Sequence, residues 1–247
     1  MSLADIVQNH KGSDSVRDLH GSKPHFYLAA VILVRIYDTD KAKWTKVELR
    51  QWIDYMLYAG VERIYLYDHF KVKSESLRDW CFANFPYVVG YHDWHDHFPY
   101  SVIETQMTAY QHAILTYGNS STWQIQFDMD EYPFMPNDKK QGFLIRKPKN
   151  EKHILKRYLR RTPKPANNLD KPICRTKSVK SVGIHHNELK EGESMDADVN
   201  EIRMNHYWGA RLQNWGDDTP KIFNITMFDD SIVDIANQLE RHGYNNV

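Results

Sequence analysis

Two aspartates separated by one residue, Asp128 and Asp130, are the residues of this chain best suited to chemistry. They follow an alternating apolar run, 123–127, which is typical of a β-strand, and Pro133 interrupts any continuation of that strand. A strand that ends in two such carboxylates, with Glu131 beside them, places acids at one edge of a sheet. Their oxygens can hold a hard divalent cation, and the commonest partner of such a cation is a diphosphate. The pattern predicts a nucleotide-sugar enzyme.

The elements before these acids must position them, and they alternate between strand-like and helix-like patterns. Near-continuous apolar runs predict buried strands, whereas apolar residues at helical spacing predict helices. Strands are predicted at 25–37, at 61–68, at 87–92 and up to Asp128, and helices at 45–59, 74–84 and 101–117. This alternation predicts an α/β fold, a Rossmann-like single domain with a central, mostly parallel sheet flanked by helices.

Polar residues follow each of the four predicted strands. These are Arg35 and Asp38, then Asp68, then the segment 92–97, and finally Asp128 to Glu131. In open parallel sheets, ligands bind beyond the carboxyl ends of the strands. The sequence therefore predicts one binding site at this edge of the sheet.

The pattern changes after residue 136. The second half predicts helices at 151–161 and 229–242, strands at 172–184 and 200–208, and an acidic loop at 188–198. The predicted organisation is an N-terminal extension over 1–24, a catalytic domain over 25–228, and a C-terminal helix or tail over 229–247.

The composition excludes several classes of protein. The 32 basic and 32 acidic side chains cancel, so bulk charge gives no indication of a nucleic-acid partner, and the basic stretch 139–164 is interpreted as a solvated face. Two cysteines, Cys81 and Cys174, provide neither a disulfide framework nor a zinc site. No apolar run is long enough for a membrane span. We expect a soluble, cytoplasmic protein, either a bacterial or viral enzyme or a catalytic domain trimmed from an anchored one.

Several segments together resemble a known family of enzymes. The segments 48–55, 59–68, 128–132 and 205–208, with Gln111 in the long predicted helix, are similar to the motifs of glycosyltransferase family 92, which has the GT-A fold. The resemblance implies an inverting, hexosyltransferase-type enzyme. Its donor would be a UDP-sugar carrying galactose or a deoxyhexose, and its acceptor a glycan hydroxyl. The implied cofactor is Mn²⁺ or Mg²⁺.

The resemblance also assigns roles to residues. The metal ligands would be Asp128 and Asp130, with His206 as the third ligand, and an imidazole favours Mn²⁺ over Mg²⁺. The residues expected to bind the nucleotide-sugar are Arg35, Asp38, Asp68, Gln111, Asp128 and His185. The chain departs from the family pattern after the first and second strands, which leaves the base and sugar preference open.

Direct displacement at the anomeric carbon requires a carboxylate base for the acceptor hydroxyl. Glu131 is expected to be catalytic, structural or sugar-binding, and the base itself is not identified. Four acids of the acidic loop are weak candidates for it, namely Glu191, Glu193, Asp196 and Asp198.

Two alternatives use the same residues in other ways. A metal-dependent phosphoesterase would use the acids and histidines around a second metal. A catalytically silent, carbohydrate-binding relative would keep the fold and the aromatic residues. The segment 92–97, with three histidines and two aspartates, is interpreted as a loop near the nucleotide and not as a second metal centre.

Overall fold

The computed structural model describes residues 25–96, 102–134, 153–157, 160–161, 170–198, 201–207 and 227–242. They belong to two compact units that alternate along the chain. The first unit is built from 1–37, 60–128 and 169–194, and the second from 38–59, 129–168 and 195–247. The extension predicted over 1–24 lies outside the described residues, and the single catalytic domain over 25–228 stays a prediction.

The strands are β1 (Phe26–Val34), β2 (Arg63–Asp68), β3 (Val89–Asp93), β4 (Ser121–Gln126), β5 (Glu131–Phe134), β6 (Arg160–Arg161), β7 (Ile173–Arg175), β8 (Val179–Ser181), β9 (Glu188–Leu189), β10 (Arg203–His206) and β11 (Met227–Phe228). The α-helices are α1 (Lys46–Tyr58), α2 (Arg78–Asn84), α3 (Val102–Tyr117), α4 (Ile154–Arg157) and α5 (Val233–His242).

The first unit contains a five-stranded sheet with the order β3-β2-β1-β4-β7. The first four strands in the chain are parallel, and β7 pairs antiparallel with β4. The central strand β1 is apolar throughout and buried over its last six residues, as expected for a strand covered on both faces. Helices α2 and α3 contact β3 and β1. The predicted α/β fold, with a mostly parallel sheet flanked by helices, is confirmed.

Helix α3 packs on the sheet through one continuous face. Ala109, Tyr110, Ala113, Ile114 and Tyr117 on this face join the core with side chains from β1 and β2. Their spacing of three and four residues is that of an amphipathic helix whose apolar stripe covers a sheet.

The helix predicted at 74–84 is shorter than expected. A 3₁₀ turn over Lys73–Glu75 precedes α2, which begins only at Arg78. The carboxylate of Asp68, at the end of β2, accepts a hydrogen bond from the Leu77 amide at 2.7 Å. This bond satisfies an amide at the helix start, so the tertiary contact decides where the helix begins.

Helix α1 of the second unit begins and ends as predicted. Thr45 accepts a hydrogen bond from the Val47 amide, and Glu48 accepts one from the Thr45 amide, which together form a capping box. The chain then reaches Gly60, whose φ of 90° lies in the left-handed region that commonly follows a helix. The buried face of α1 carries Leu49, Trp52, Ile53, Tyr55 and Met56.

The rest of the second unit consists of short elements. Strand β10 pairs antiparallel with β5, β11 pairs antiparallel with β6, and α4 contacts α5. The helix predicted at 151–161 was wrong in extent, because α4 covers only Ile154–Arg157 and Arg160–Arg161 form β6. The terminal helix begins at Val233 and not at 229, because the Asp229 side chain accepts a bond from the Ser231 amide and forms a turn first.

The strands predicted at 172–184 are shorter than expected, and the loop predicted at 188–198 begins with a short strand. A 3₁₀ turn over Thr176–Ser178 separates β7 from β8, and β9 forms a short hairpin with β8 at the start of the acidic segment.

In the part of the chain that the structure describes, no helix has the length and apolar character needed to cross a membrane.

Candidate functional site

The carboxyl ends of the parallel strands lie side by side in the first unit. Val34, Asp68 and Asp93 are register partners across β1, β2 and β3, so the residues that follow them share one edge of the sheet. The strand order reverses direction between β1 and β4, which is the kind of position where open α/β sheets bind ligands. Arg35 follows β1 at this edge, and Asp128 follows β4.

Asp128 is held by two side chains that the sequence analysis did not single out. Its Oδ2 atom lies 3.0 Å from Lys171 Nζ, and its Oδ1 atom accepts a hydrogen bond from Gln106 Nε2 at 2.5 Å. The side chain of Lys171 is 2% exposed, whereas that of Asp128 is 25% exposed. Both oxygens of this carboxylate are therefore engaged by the protein.

Gln106 reaches Asp128 from α3. Its Nε2 atom also donates to the Tyr110 hydroxyl at 2.9 Å, and that hydroxyl donates to the Phe127 carbonyl at 3.3 Å. Gln106 and Tyr110 are four residues apart on a helix and therefore share a face. A glutamine on the buried face of a predicted helix could have indicated a polar partner such as Asp128. The partner Lys171 is 43 residues from Asp128 and had no such signal.

Asp68 is buried and takes part in a local network. Besides the Leu77 amide, its Oδ2 atom accepts hydrogen bonds from the Tyr91 hydroxyl at 2.9 Å and the Ser76 hydroxyl at 3.4 Å. Burial raises the pKa of Asp68 to about 6, and these three hydrogen bonds oppose the rise. The network supports the start of α2, while the predicted nucleotide contact of Asp68 stays a prediction.

His69 follows Asp68 and is 2% exposed. Its pKa is lowered to about 4, first by burial and then by the positive charges of Arg35, His95 and Lys71. His69 is therefore a neutral imidazole at physiological pH.

Asp68 and His69 are expected to give opposite pH dependences of the unfolding free energy. The pKa of Asp68 rises from 3.8 to about 6, so its stabilising contribution is present near pH 4 and is lost as the pH rises through 6. The pKa of His69 falls from 6.5 to about 4, so its contribution is present above pH 6.5 and is lost as the pH falls through 4. Each effect is at most about 3 kcal/mol.

Urea denaturation of the wild type, Asp68→Asn and His69→Gln between pH 4 and pH 7 measures both effects. The stability of the wild type relative to Asp68→Asn should fall across this range, and its stability relative to His69→Gln should rise. The two adjacent substitutions control for each other. If both stability differences changed with pH in the same direction, the opposite pKa shifts assigned to Asp68 and His69 would be wrong.

The histidine-rich segment is divided between the core and the surface. His92 is buried, stacks on Tyr67 at 4.6 Å and pairs with the Tyr117 hydroxyl at 3.0 Å. His95 stacks on Phe70 at 4.8 Å and contacts the carboxylates of the neighbouring aspartates. His97 lies outside the described residues. These contacts agree with the interpretation of a packed strand end followed by a turn.

Two other predicted nucleotide-sugar residues make structural contacts in the first unit. Gln111 is buried, and its Oε1 atom accepts a hydrogen bond from the Val182 amide at 2.9 Å. His185 is partly exposed and pairs through Nδ1 with the carbonyl of Asp170 at 2.9 Å. These bonds tie α3 and the segment before β7 to the region of β8. The nucleotide-binding roles of both residues stay predictions.

The remaining predicted acids are exposed. Asp38 belongs to the second unit, and its carbonyl accepts a hydrogen bond from Lys43. The four weak candidates for the general base lie on the acidic segment, where the carbonyl of Asp198 accepts bonds from the amides of Glu201 and Ile202. All four side chains are exposed, namely Glu191, Glu193, Asp196 and Asp198. The structure assigns the base to none of them.

The second unit brings three predicted site residues together. His206 Nε2 lies 3.3 Å from Asp130 Oδ2, and His206 Nδ1 lies 4.0 Å from Glu131 Oε1. The carboxylates are almost fully buried, whereas 24% of the His206 side chain is exposed. This group connects residues 75 positions apart, and the antiparallel pairing of β10 with β5 makes the approach possible because His206 is the register partner of Glu131.

Helix α1 and strand β10 fix the backbone around these acids. Trp52 Nε1 donates to the Glu131 carbonyl at 3.1 Å, and the Tyr55 hydroxyl donates to the Pro133 carbonyl at 2.6 Å. The Tyr207 amide donates to the Asp130 carbonyl at 2.6 Å. The Tyr132 ring packs edge-on against the rings of Tyr55 and Tyr207. The backbone that carries the two acids is therefore fixed by hydrogen bonds and by buried aromatic rings.

The chemistry of this group fits a divalent cation. Carboxylate oxygen and imidazole nitrogen together suit Mn²⁺, which accepts both donors. Neighbouring ligands of an octahedral ion with bonds of about 2.1 Å are about 3 Å apart, and Asp130 Oδ2 and His206 Nε2 are separated by 3.3 Å. Among the described residues, no group of three or more His, Cys, Asp or Glu side chains is arranged to hold a metal. The two donors would leave other coordination positions to substrate and water.

Comparison with known proteins gives one relevant similarity. A glycosyltransferase family 92 protein of Arabidopsis thaliana is 30% identical over 94 residues, which is 38% of this chain and 15% of that protein. No protein-family model matches the chain. Over this part of its length the chain is thus similar to a protein of the family that its motifs resemble.

Proposed function

We propose that this protein is a metal-dependent, inverting glycosyltransferase that moves a sugar from a UDP-sugar to a glycan hydroxyl. The observation that carries the proposal is the pairing of buried Asp130 with His206 at 3.3 Å, where Asp130 directly precedes β5 and His206 ends β10. The partial similarity to a glycosyltransferase family 92 protein supports the same reaction class.

Asp130 and His206 would hold Mn²⁺ in this proposal. When bound, the cation neutralises the donor diphosphate and the charge that develops on the departing nucleotide. Glu131 lies 4.0 Å from the other nitrogen of His206, where its negative charge would favour the imidazole as a metal ligand. The aromatic support under Asp130 and Glu131 keeps both carboxylates in place before the donor binds.

The residues that the sequence analysis expects to bind the nucleotide-sugar remain candidates for donor contacts, and each can be tested separately. Arg35 and Lys71, which help to lower the pKa of His69, are the cations near the ends of β1 and β2 that an anionic ligand could contact. Galactose and deoxyhexoses are the donor sugars to test first. The general base is left unassigned, because all four candidate acids are exposed.

Calorimetric titration of UDP, in Mn²⁺ and then in EDTA, tests the proposal. We expect UDP to bind in the presence of Mn²⁺ and to lose at least about 100-fold in affinity in EDTA, because Asp130 and His206 would hold the cation that neutralises the diphosphate. Equal binding in both buffers would refute metal dependence, and no binding in either would refute the UDP-sugar donor. Hydrolysis of a phosphodiester with two bound Mn²⁺ ions would favour the phosphoesterase instead.

A further inference from the structure

Two aromatic side chains of helix α1 bond to the edge of strand β5 that faces away from β10. We propose that Trp52 and Tyr55 are positioning residues of the candidate metal site, and that their donor groups hold Asp130 and Glu131 in the orientation that binds the divalent cation. The inference rests on the proposed function, because it concerns how that cation is held. Both aromatic residues lie in the segment 48–55, to which the proposed function assigns no role.

The two edges of β5 have different partners. On one edge β5 pairs antiparallel with β10, and the Tyr207 amide donates to the Asp130 carbonyl at 2.6 Å. Among the described residues no strand pairs with the other edge, since β5 and β10 form a sheet of two strands. The carbonyls on that edge lack a strand partner, and buried carbonyls require a hydrogen bond.

Helix α1 supplies the donors for this edge. Trp52 Nε1 donates to the Glu131 carbonyl at 3.1 Å, and the Tyr55 hydroxyl donates to the Pro133 carbonyl at 2.6 Å. The Asp130 carbonyl faces β10, and carbonyls alternate in direction along a strand, so those of residues 131 and 133 face the opposite edge. Trp52 and Tyr55 are three residues apart on a helix and share a face. The helix therefore takes the place of a third strand.

The residue types at these positions fit the role. Trp52 is fully buried and Tyr55 is 2% exposed, so the indole N–H and the phenol O–H each need a partner inside the protein. A leucine or phenylalanine at either position could fill the core but could not donate. Pro133 has no N–H, so it presents only an acceptor to the edge that faces α1.

The hydrogen bonds act on the backbone that carries the metal-binding side chains. The Asp130 carbonyl belongs to the peptide unit before the Glu131 Cα atom, and the Glu131 carbonyl belongs to the unit after it. Both units are therefore held, the first by β10 and the second by α1. A rotation of these units would move the Asp130 carboxylate relative to His206 Nε2, which lies 3.3 Å from it. Donor atoms displaced in this way match the coordination distances of a cation less well.

The test compares Mn²⁺ affinity, measured from the electron paramagnetic resonance signal of free Mn²⁺, with the melting temperature. Tyr55→Phe and Trp52→Phe should each weaken Mn²⁺ binding about tenfold, because the groups that orient metal ligands contribute on this scale. Tyr67→Phe is the matched control, since Tyr67 is also fully buried and its hydroxyl makes a bond of 2.7 Å to His112, but in the first unit. It should lower the melting temperature about as much as Tyr55→Phe and keep Mn²⁺ affinity within about twofold of the wild type.

A purely structural tyrosine would behave like the control. If Tyr55→Phe and Tyr67→Phe lower the melting temperature alike and neither changes Mn²⁺ affinity more than about twofold, the inference is wrong. Trp52→Phe also removes ring volume, so Tyr55→Phe, which removes a single oxygen atom, decides the question if the tryptophan variant does not fold.

Asp130→Asn separates this inference from the proposed function. Loss of Mn²⁺ binding in Asp130→Asn together with normal Mn²⁺ binding in Tyr55→Phe overturns only the positioning role of α1. Normal Mn²⁺ binding in Asp130→Asn overturns the metal centre of the proposed function, and the positioning role with it.

Discussion

Replacing Asp130 by asparagine is expected to lower Mn²⁺ affinity and Mn²⁺-supported UDP affinity at least about 100-fold, or about 2.7 kcal/mol. Asparagine has almost the same shape but lacks the negative charge through which a carboxylate binds a divalent cation tightly. Asp130 is fully buried, and its carbonyl accepts a bond from the Tyr207 amide that the substitution leaves intact. The variant is therefore expected to fold.

The same substitution at an exposed site controls for the chemical change. The Asp79 side chain is 98% exposed, and Asp79→Asn should leave Mn²⁺ and UDP binding within about twofold of the wild type. His206→Ala should share the defect of Asp130→Asn, because it removes the second donor atom. Unchanged Mn²⁺ binding in Asp130→Asn, with an unchanged melting temperature, would exclude Asp130 as a ligand.

Replacing Tyr67 by alanine is expected to lower the unfolding free energy by about 4 kcal/mol. Tyr67 is fully buried on β2, where its ring stacks on His92 at 4.6 Å and meets Trp94 edge-on at 4.9 Å. Its hydroxyl pairs with His112 Nδ1 at 2.7 Å and so connects β2 to α3. Alanine removes the ring contacts and the hydrogen bond together and leaves a cavity between sheet and helix.

Tyr67→Phe separates the two contributions. It keeps the ring and removes only the bond to His112, so a loss of about 1 to 2 kcal/mol is expected. Tyr87→Ala is the exposed control, since this tyrosine is 77% exposed, and it should change the stability by no more than about 0.5 kcal/mol. Urea denaturation measures all three variants. Equal losses for phenylalanine and alanine at position 67 would show that the hydroxyl, and not the ring packing, stabilises this core.

The sequence by itself determined the elements of the parallel sheet. The apolar run of β1 and the helical spacing of α1 and α3 are local patterns, and they follow directly from burial on two faces or on one stripe. The same patterns placed Asp68 and Asp128 at strand ends. The position of these acids at one edge follows from the parallel arrangement, which alternating strands and helices impose.

Short elements without a periodic pattern depended on tertiary contacts. Helix α2 starts late because Asp68 bonds to the Leu77 amide, and the predicted helix at 151–161 is replaced in part by β6, which pairs with β11 more than sixty residues later. A hydrogen-bonded partner so far along the chain leaves no periodic signal within a local window of sequence.

Which side chains meet was decided by tertiary structure alone. The family resemblance already grouped Asp130 and His206 as expected ligands of one metal, but only the pairing of β10 with β5 sets them 3.3 Å apart. No motif singled out Lys171, whose buried ammonium group lies 3.0 Å from Asp128, 43 residues earlier in the chain. Local sequence determines the periodicity of each element, whereas charge compensation in a buried site depends on residues that the fold brings from distant positions.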